Sequence, residues 1–175
     1  MKFLKIFLVI ILVIIAILFI GGLFLPKTYS VGRTISIAAP DSVIYRNIAD
    51  FNEFGKWNPW LKKEPSAKVT VSGPVAAPDH LYQWEGKEVG SGQMRITAVK
   101  PYELVSIELK FIKPFESIAE THFYITKDGE QNKVTWTMSG KNENVFSKWM
   151  SLMMDRMIGK DFEEGLLSLK EKSEK

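Results

Sequence analysis

Glu120, His122 and Tyr124 stand two apart in "ESIAETHFYIT", residues 116–126. Side chains two apart on a strand share a face. The three therefore form a row in which a carboxylate, an imidazole and a phenol could pass a proton. No other cluster in the sequence offers that combination. Alternating polar residues also mark the solvent face of an antiparallel strand, and the opposite row, Ala119, Thr121, Phe123 and Ile125, is the better inward candidate. The second histidine, His80, follows "APD" at a strand start and reads as solvated. There is no HExxH motif, no paired histidine at ligand spacing and no cysteine. A thiolate nucleophile, a cysteine metal site and a disulfide framework are thereby excluded. Glu163 and Glu164 are adjacent on a helical stretch and point in different directions. "GKEVGSG", residues 86–92, is glycine-rich but does not open a helix as a phosphate loop does. Its glycines fit a hairpin turn or bulge. No metal and no cofactor are expected.

The apolar residues with unusual chemistry are methionines and tryptophans. Met150, Met153, Met154 and Met157 crowd two helical turns, and Met94 and Met138 fall in strand patterns. Methionine is flexible and polarizable, so it builds adaptable cores or walls that accept varied apolar shapes. "FGKWNPWLKK", residues 54–63, brackets Asn58–Pro59 with Trp57 and Trp60. A residue before proline avoids the α region, so a helix breaks at Asn58. The two rings either fill the junction of this insert with the core or line a ligand entrance.

The elements that must position these residues follow from period and punctuation. "SVGRTISIA" (30–38) alternates as a strand, and "APDSVIYRNIAD" reads as a helix with Pro40 in its first turn. Strands follow at 67–73, 81–86, 91–99, 103–112, 116–126 and 133–140, with a turn at Asp128–Gly129. The chain closes on a long helix from Asn144 to Lys172, with Asn144 as N-cap and Gly159 and Gly165 interrupting it. Short turns between strands imply an antiparallel sheet, and only the last helix is large enough to cover its apolar face. The fold class is α+β.

Ahead of this lies "IFLVIILVIIAILFIGGLFL", residues 6–25, without a charge. At about 1.5 Å per residue it spans about 30 Å, a bilayer's hydrocarbon core. No small-x-small cleavage site precedes Pro26, so residues 1–26 read as an uncleaved anchor and 27–175 as one soluble domain. Lys2 and Lys5 before the span, and Lys27 and Arg33 after it, give a weak charge contrast. The favoured topology puts the N-terminus in the cytoplasm and the domain outside. "GG" at Gly21 and Gly22 is not a GxxxG pairing face. Residues 27–175 hold 21 basic and 20 acidic residues, a net charge of +1. With no basic stripe and stacking aromatics, nucleic acid is not an expected partner.

This order resembles the helix-grip fold of the START-like (SRPBCC, Bet v 1-like) superfamily, in its branch of polyketide cyclases, dehydrases and lipid-transport proteins. "RTISIAAPDSVIYRNIADFNEFGKWNPW", "YQWEGKEVGSGQMRIT", "VTWTMSG" and "MIGKDFEEGLLSLK" carry the resemblance, over nearly all of residues 28–172. It implies a sheet curled around the last helix with an apolar cavity between them. The expected lining is Trp57, Trp60, Trp84, Met94, Ile107, Leu109, Phe123, Trp136, Met138, Met150, Met153 and Met157. The function expected is binding of a lipid or other hydrophobic small molecule at a membrane, without catalysis. A cyclase- or hydrolase-like enzyme would instead need His122 inside the cavity. A protein-interaction module would need a filled core and an exposed Trp57 or Trp60 ring.

Overall fold

The computed structural model describes residues 2–175. Among the described residues are six helices: α1 (Lys2–Leu23), α2 (Asp41–Ala49), α3 (Phe51–Phe54), α4 (Pro59–Lys63), α5 (Val145–Ser151) and α6 (Met154–Ser173). The strands are β1 (Thr28–Ile37), β2 (Lys68–Ser72), β3 (Leu81–Glu85), β4 (Ser91–Lys100), β5 (Leu104–Lys113), β6 (Ser117–Asp128) and β7 (Gln131–Lys141). They form one antiparallel sheet in the order β1-β7-β6-β5-β4-β3-β2. Every strand pairs with its sequence neighbour except β1, which pairs with β7 from Thr28 opposite Lys141 to Ile37 opposite Asn132.

The inner face follows from alternation. Ala119, Thr121, Phe123 and Ile125 of β6 are buried, and Val134, Trp136 and Met138 of β7 continue that layer. Helix α6 lies across this face. Two of its glycines permit the close approach. A Cβ on Gly165 would stand 2.8 Å from Cζ3 of Trp136 and 3.2 Å from Cδ of Pro59. A Cβ on Gly159 would collide with the Arg33 guanidinium. Arg33 is on the inner side of β1, where it donates to Asp155 at 2.7 Å and to Glu163 at 2.6 Å. The two carboxylates hold its charge well above the usual arginine range in pKa.

The single helix expected from Asn144 to Lys172 is two helices. Asn144 does cap the first: its side chain accepts from the Ser147 N–H at 2.8 Å, and Ser147 Oγ accepts from the Asn144 N–H at 3.1 Å. Helix α5 ends at Ser151, because it packs on α1 while α6 packs on β1. The apolar spacing runs unbroken across the join, so the sequence pattern does not register it. As a result Met150, Met153 and Met157 are exposed rather than set in a cavity wall.

His80 is also differently placed. It is 1 % exposed, stacked on Phe51 at 4.8 Å. Its Nε2 accepts from the Phe51 N–H at 3.0 Å, so Nδ1 is the nitrogen that donates to Ser72 O at 3.1 Å. The "APD" turn signals are real, with Ala76 and Asp79 at positive φ. They fold the loop back so that the imidazole ties β3 to α3.

Helix α1 is exposed along its length except at Gly21 and Gly22 and is long and apolar enough to cross a membrane. Its last turn meets α5. The Trp149 Nε1–H donates to Leu18 O at 3.0 Å, and Lys148 Nζ to Gly22 O at 3.2 Å. A Cβ on Gly22 would overlap Val145, so the glycine pair seats α5.

Candidate ligand cavity

Between the sheet, α4 and α6 lies a cavity of about 130 Å³. Its inner wall is aromatic. Trp136 stacks on Phe162 at 4.0 Å and on Phe123 at 4.8 Å, and meets Trp57 and Trp60 edge-on at 5.8 Å each. Met94, Leu109 and Met138 extend the wall across the sheet. The half-buried lining residues Trp60, Leu61, Trp84, Val89, Phe111 and Ile158 mark the mouth.

Seven of the side chains expected from sequence line this space: Trp60, Trp84, Met94, Leu109, Phe123, Trp136 and Met138. Trp57 does not. It is 1 % exposed, its Nε1–H donates to Asn47 O at 2.7 Å, and it packs behind Phe123 and Trp136. The two tryptophans of "KWNPW" therefore part company, because Asn58 starts a new helix between them. Its side chain accepts from the Trp60 N–H at 2.9 Å, with Pro59 at the first helical position. Ile107 is on the same sheet face but is packed in the core, beside Thr121 rather than in the lining. Met150, Met153 and Met157 lie outside.

Sequence reasoning missed Phe54, Asn58, Leu61, Tyr82, Val89, Phe111, Thr121, Ile158 and Phe162. The strand residues among them were accessible to alternation: Thr121 and Phe111 are in phase with Phe123 and Leu109. Tyr82 is in phase with Trp84. Phe162 and Ile158 are one turn apart on α6.

The polar groups in the lining are few: Asn58, Tyr82, Thr121 and the indoles of Trp60, Trp84 and Trp136. Burial pushes the Tyr82 hydroxyl up to about 12, so it stays a neutral donor; its contact with Asn58 Nδ2 is long, 3.4 Å. Among the described residues, Trp136 Nε1 is the one buried side-chain nitrogen or oxygen with no hydrogen-bond partner. Such groups are rare because an unpaired buried donor costs about 1–3 kcal/mol.

The mouth has its own brace. Glu64, just after α4, accepts from three successive backbone N–H groups: Lys87 at 2.8 Å, Glu88 at 2.9 Å and Val89 at 3.0 Å. These bonds, led by Val89 and Lys87, hold its carboxyl below the usual carboxylate range. The β3–β4 loop is thus fixed to α4 across the opening.

The row Glu120, His122 and Tyr124 is on the outer face of the sheet. His122 Nδ1 is 3.1 Å from Ser106 Oγ and its Nε2 is 3.8 Å from Glu120 Oε2, while its ring is 5.9 Å from that of Tyr124. The three do come together, but with the sheet between them and the cavity. Among the described residues, no three His, Cys, Asp or Glu side chains are grouped closely enough to hold a metal ion.

Comparison with known proteins agrees with this architecture. No curated protein matches the sequence. Among solved structures, Protein Ms6760 from Mycobacterium smegmatis is 21% identical, covering 83% of this chain and 88% of its own, with a TM-score of 0.55. Protein CV1439 from Chromobacterium violaceum is 14% identical, covering 84% and 99%, with a TM-score of 0.63. The di-domain ARO/CYC StfQ from the steffimycin biosynthetic pathway is 9% identical, covering 85% of this chain and 51% of its own, with a TM-score of 0.62. Residues 28–174 match the family described as polyketide cyclase/dehydrase and lipid transport, and the chain belongs to that family.

Proposed function

We propose that the chain is a membrane-anchored domain that holds an apolar small molecule, or one end of a lipid, without transforming it. Residues 1–26 are the anchor and residues 27–175 the binding domain, with the domain on the extracytoplasmic side. One observation carries the reading: a nearly apolar cavity lies inside the fold, walled in part by Trp136, whose indole N–H is buried and has no partner.

A ring-sized apolar group gains about 1.5–3 kcal/mol on burial. An acceptor on that group, met by a turn of the Trp136 ring, also removes the cost of its unpaired donor. The ligand that answers both is an apolar body with one carbonyl or ether oxygen. Volume sets its size. A cavity of about 150 Å³ holds benzene, whereas pockets for drug-sized ligands run to about 300–1,000 Å³. At about 130 Å³ this cavity admits one ring or a short acyl segment. The rest of a longer ligand stays at the mouth, or Trp60 and Leu61 turn outward to admit it. The lining supplies an amide, two hydroxyls and three indoles, none of them a general base at neutral pH.

Native mass spectrometry of the full-length protein, released from detergent, tests the reading. A co-purified apolar adduct is the expected result. A clean apo mass, together with no uptake of an apolar fluorescent probe, overturns it.

A further inference from the structure

The strand register fixes what surrounds the mouth. Thr28, which continues from the anchor, pairs with Lys141, and Gly140 with Ala119. Ser117 pairs with Phe111, Lys113 with Ser91, and Ser91 with Glu85. All of these therefore stand at one end of the sheet, the end that carries α1. The mouth residues Trp84, Val89 and Phe111 are at this same end.

Apolar side chains crowd the surface there. Phe115, in the β5–β6 loop, is 77 % exposed, and Phe146 on α5 is 70 % exposed. Phe24, Leu152 and Met153 are each more than half exposed and surround the same end, where Ser151 bonds to Asn142. The opposite end has polar turns such as Asp128–Glu130, with Val75 and Tyr102 the large apolar side chains exposed in its loops. Helix α5 is also set down alongside the last turns of α1. The Trp149 indole bonds to Leu18 O, five residues before the end of α1 at Leu23. At about 1.5 Å per residue this is about 7 Å inside the end of the spanning helix. Interfacial helices sit at about 5–10 Å depth, and tryptophan favours that layer.

We infer that this end of the domain is a bilayer-docking face. Phe115, Phe146, Leu152 and Met153 insert into the leaflet that α1 enters, and the cavity mouth opens directly onto lipid. The occupant is the bilayer itself, because the face is continuous with the helix proposed to span it. The inference rests on that anchoring. It adds that the ligand enters from the membrane and not from water.

The chain has no cysteine, so single cysteines report one position each. Full-length Phe115→Cys, Phe146→Cys and Met153→Cys, with Val75→Cys and Glu130→Cys as far-end controls, are labelled with the fluorophore NBD. They are then reconstituted into phosphatidylcholine/phosphatidylglycerol vesicles with and without doxyl-labelled lipid. Blue-shifted emission that doxyl lipid quenches at 115, 146 and 153, but not at 75 or 130, is expected. Quenching at 115 and 153 no greater than at 130, in protein that floats with the vesicles, overturns the docking face and leaves the anchor standing. Protein that does not float overturns both. Neither outcome alters the mass-spectrometric test of the cavity.

Discussion

Trp136 is where the residue scale matters most, since it is both the centre of the aromatic stack and the unpaired donor. Trp136→Phe keeps a ring against Phe162 and removes the N–H. Affinity for an aryl ketone should fall about fivefold, the equivalent of about 1 kcal/mol for one hydrogen bond. Affinity for the matching hydrocarbon should stay unchanged. Equal losses for both probes in a calorimetric titration would remove the indole from ligand recognition. Glu64 makes a second residue-scale prediction. Its lowered pKa means the brace across the mouth is complete above about pH 4.5 and is lost as pH falls through that lowered value. Ligand release should speed up in acid. Glu64→Gln should release quickly at neutral pH and lose the acid dependence. Stopped-flow dissociation across pH 3–7 reads both.

At the scale of elements, legibility followed periodicity. The strands were readable from alternation where one face is buried and the other is not, most regularly in β6 and β7; β2 has no buried residue and was legible from its β-branched residues and flanking turn signals. The break between α5 and α6 was not, because Met150, Met153 and Met157 keep helical spacing across it. What breaks the helix is a partner, α1, that pattern analysis of the segment does not contain. The same limit hid His80 and separated Trp57 from Trp60: burial there is decided by contacts with α2, α3 and β3. It also explains why the methionine-rich turns were mistaken for cavity lining. The glycines of α6 give a test of the packing. Alanine is favoured over glycine in a helix by about 1 kcal/mol. At Gly165 the added Cβ meets the Trp136 ring and Pro59, and overpacking costs about 1–3 kcal/mol. Gly165→Ala should therefore destabilise despite its propensity, and urea denaturation showing a more stable variant would contradict the close approach. Asn144→Ala should cost about 1 kcal/mol by removing the cap of α5, seen as faster hydrogen exchange confined to residues 145–151.

At the scale of the molecule, the two ends of the sheet are secured differently. At the far end, the C-terminal turn is tied to α3 by Lys172 and Glu53 at 2.7 Å, and Asn47 Nδ2 donates to Ser173 Oγ at 2.9 Å. Lys172 first, then Lys56, draws the Glu53 carboxyl down to about 2. A depressed acid contributes stability above its unfolded value, about 4.5, and loses it as pH falls toward 2. The melting temperature should drop across that window, and Glu53→Gln should flatten part of the slope while melting lower at pH 7. At the near end, Asn142 holds the strap that follows α1. Its Nδ2 donates to Pro26 O at 3.0 Å and its backbone N–H to Lys27 O at 2.8 Å. The domain is thus joined to α1 twice, once through residues 24–27 and once through α5. A body fixed to a plane at a single pivot swivels freely; one fixed at two pivots keeps a single rocking axis, the line through both. The short strap and the clasp of α5 together convert a tether into a hinge with a defined direction of swing.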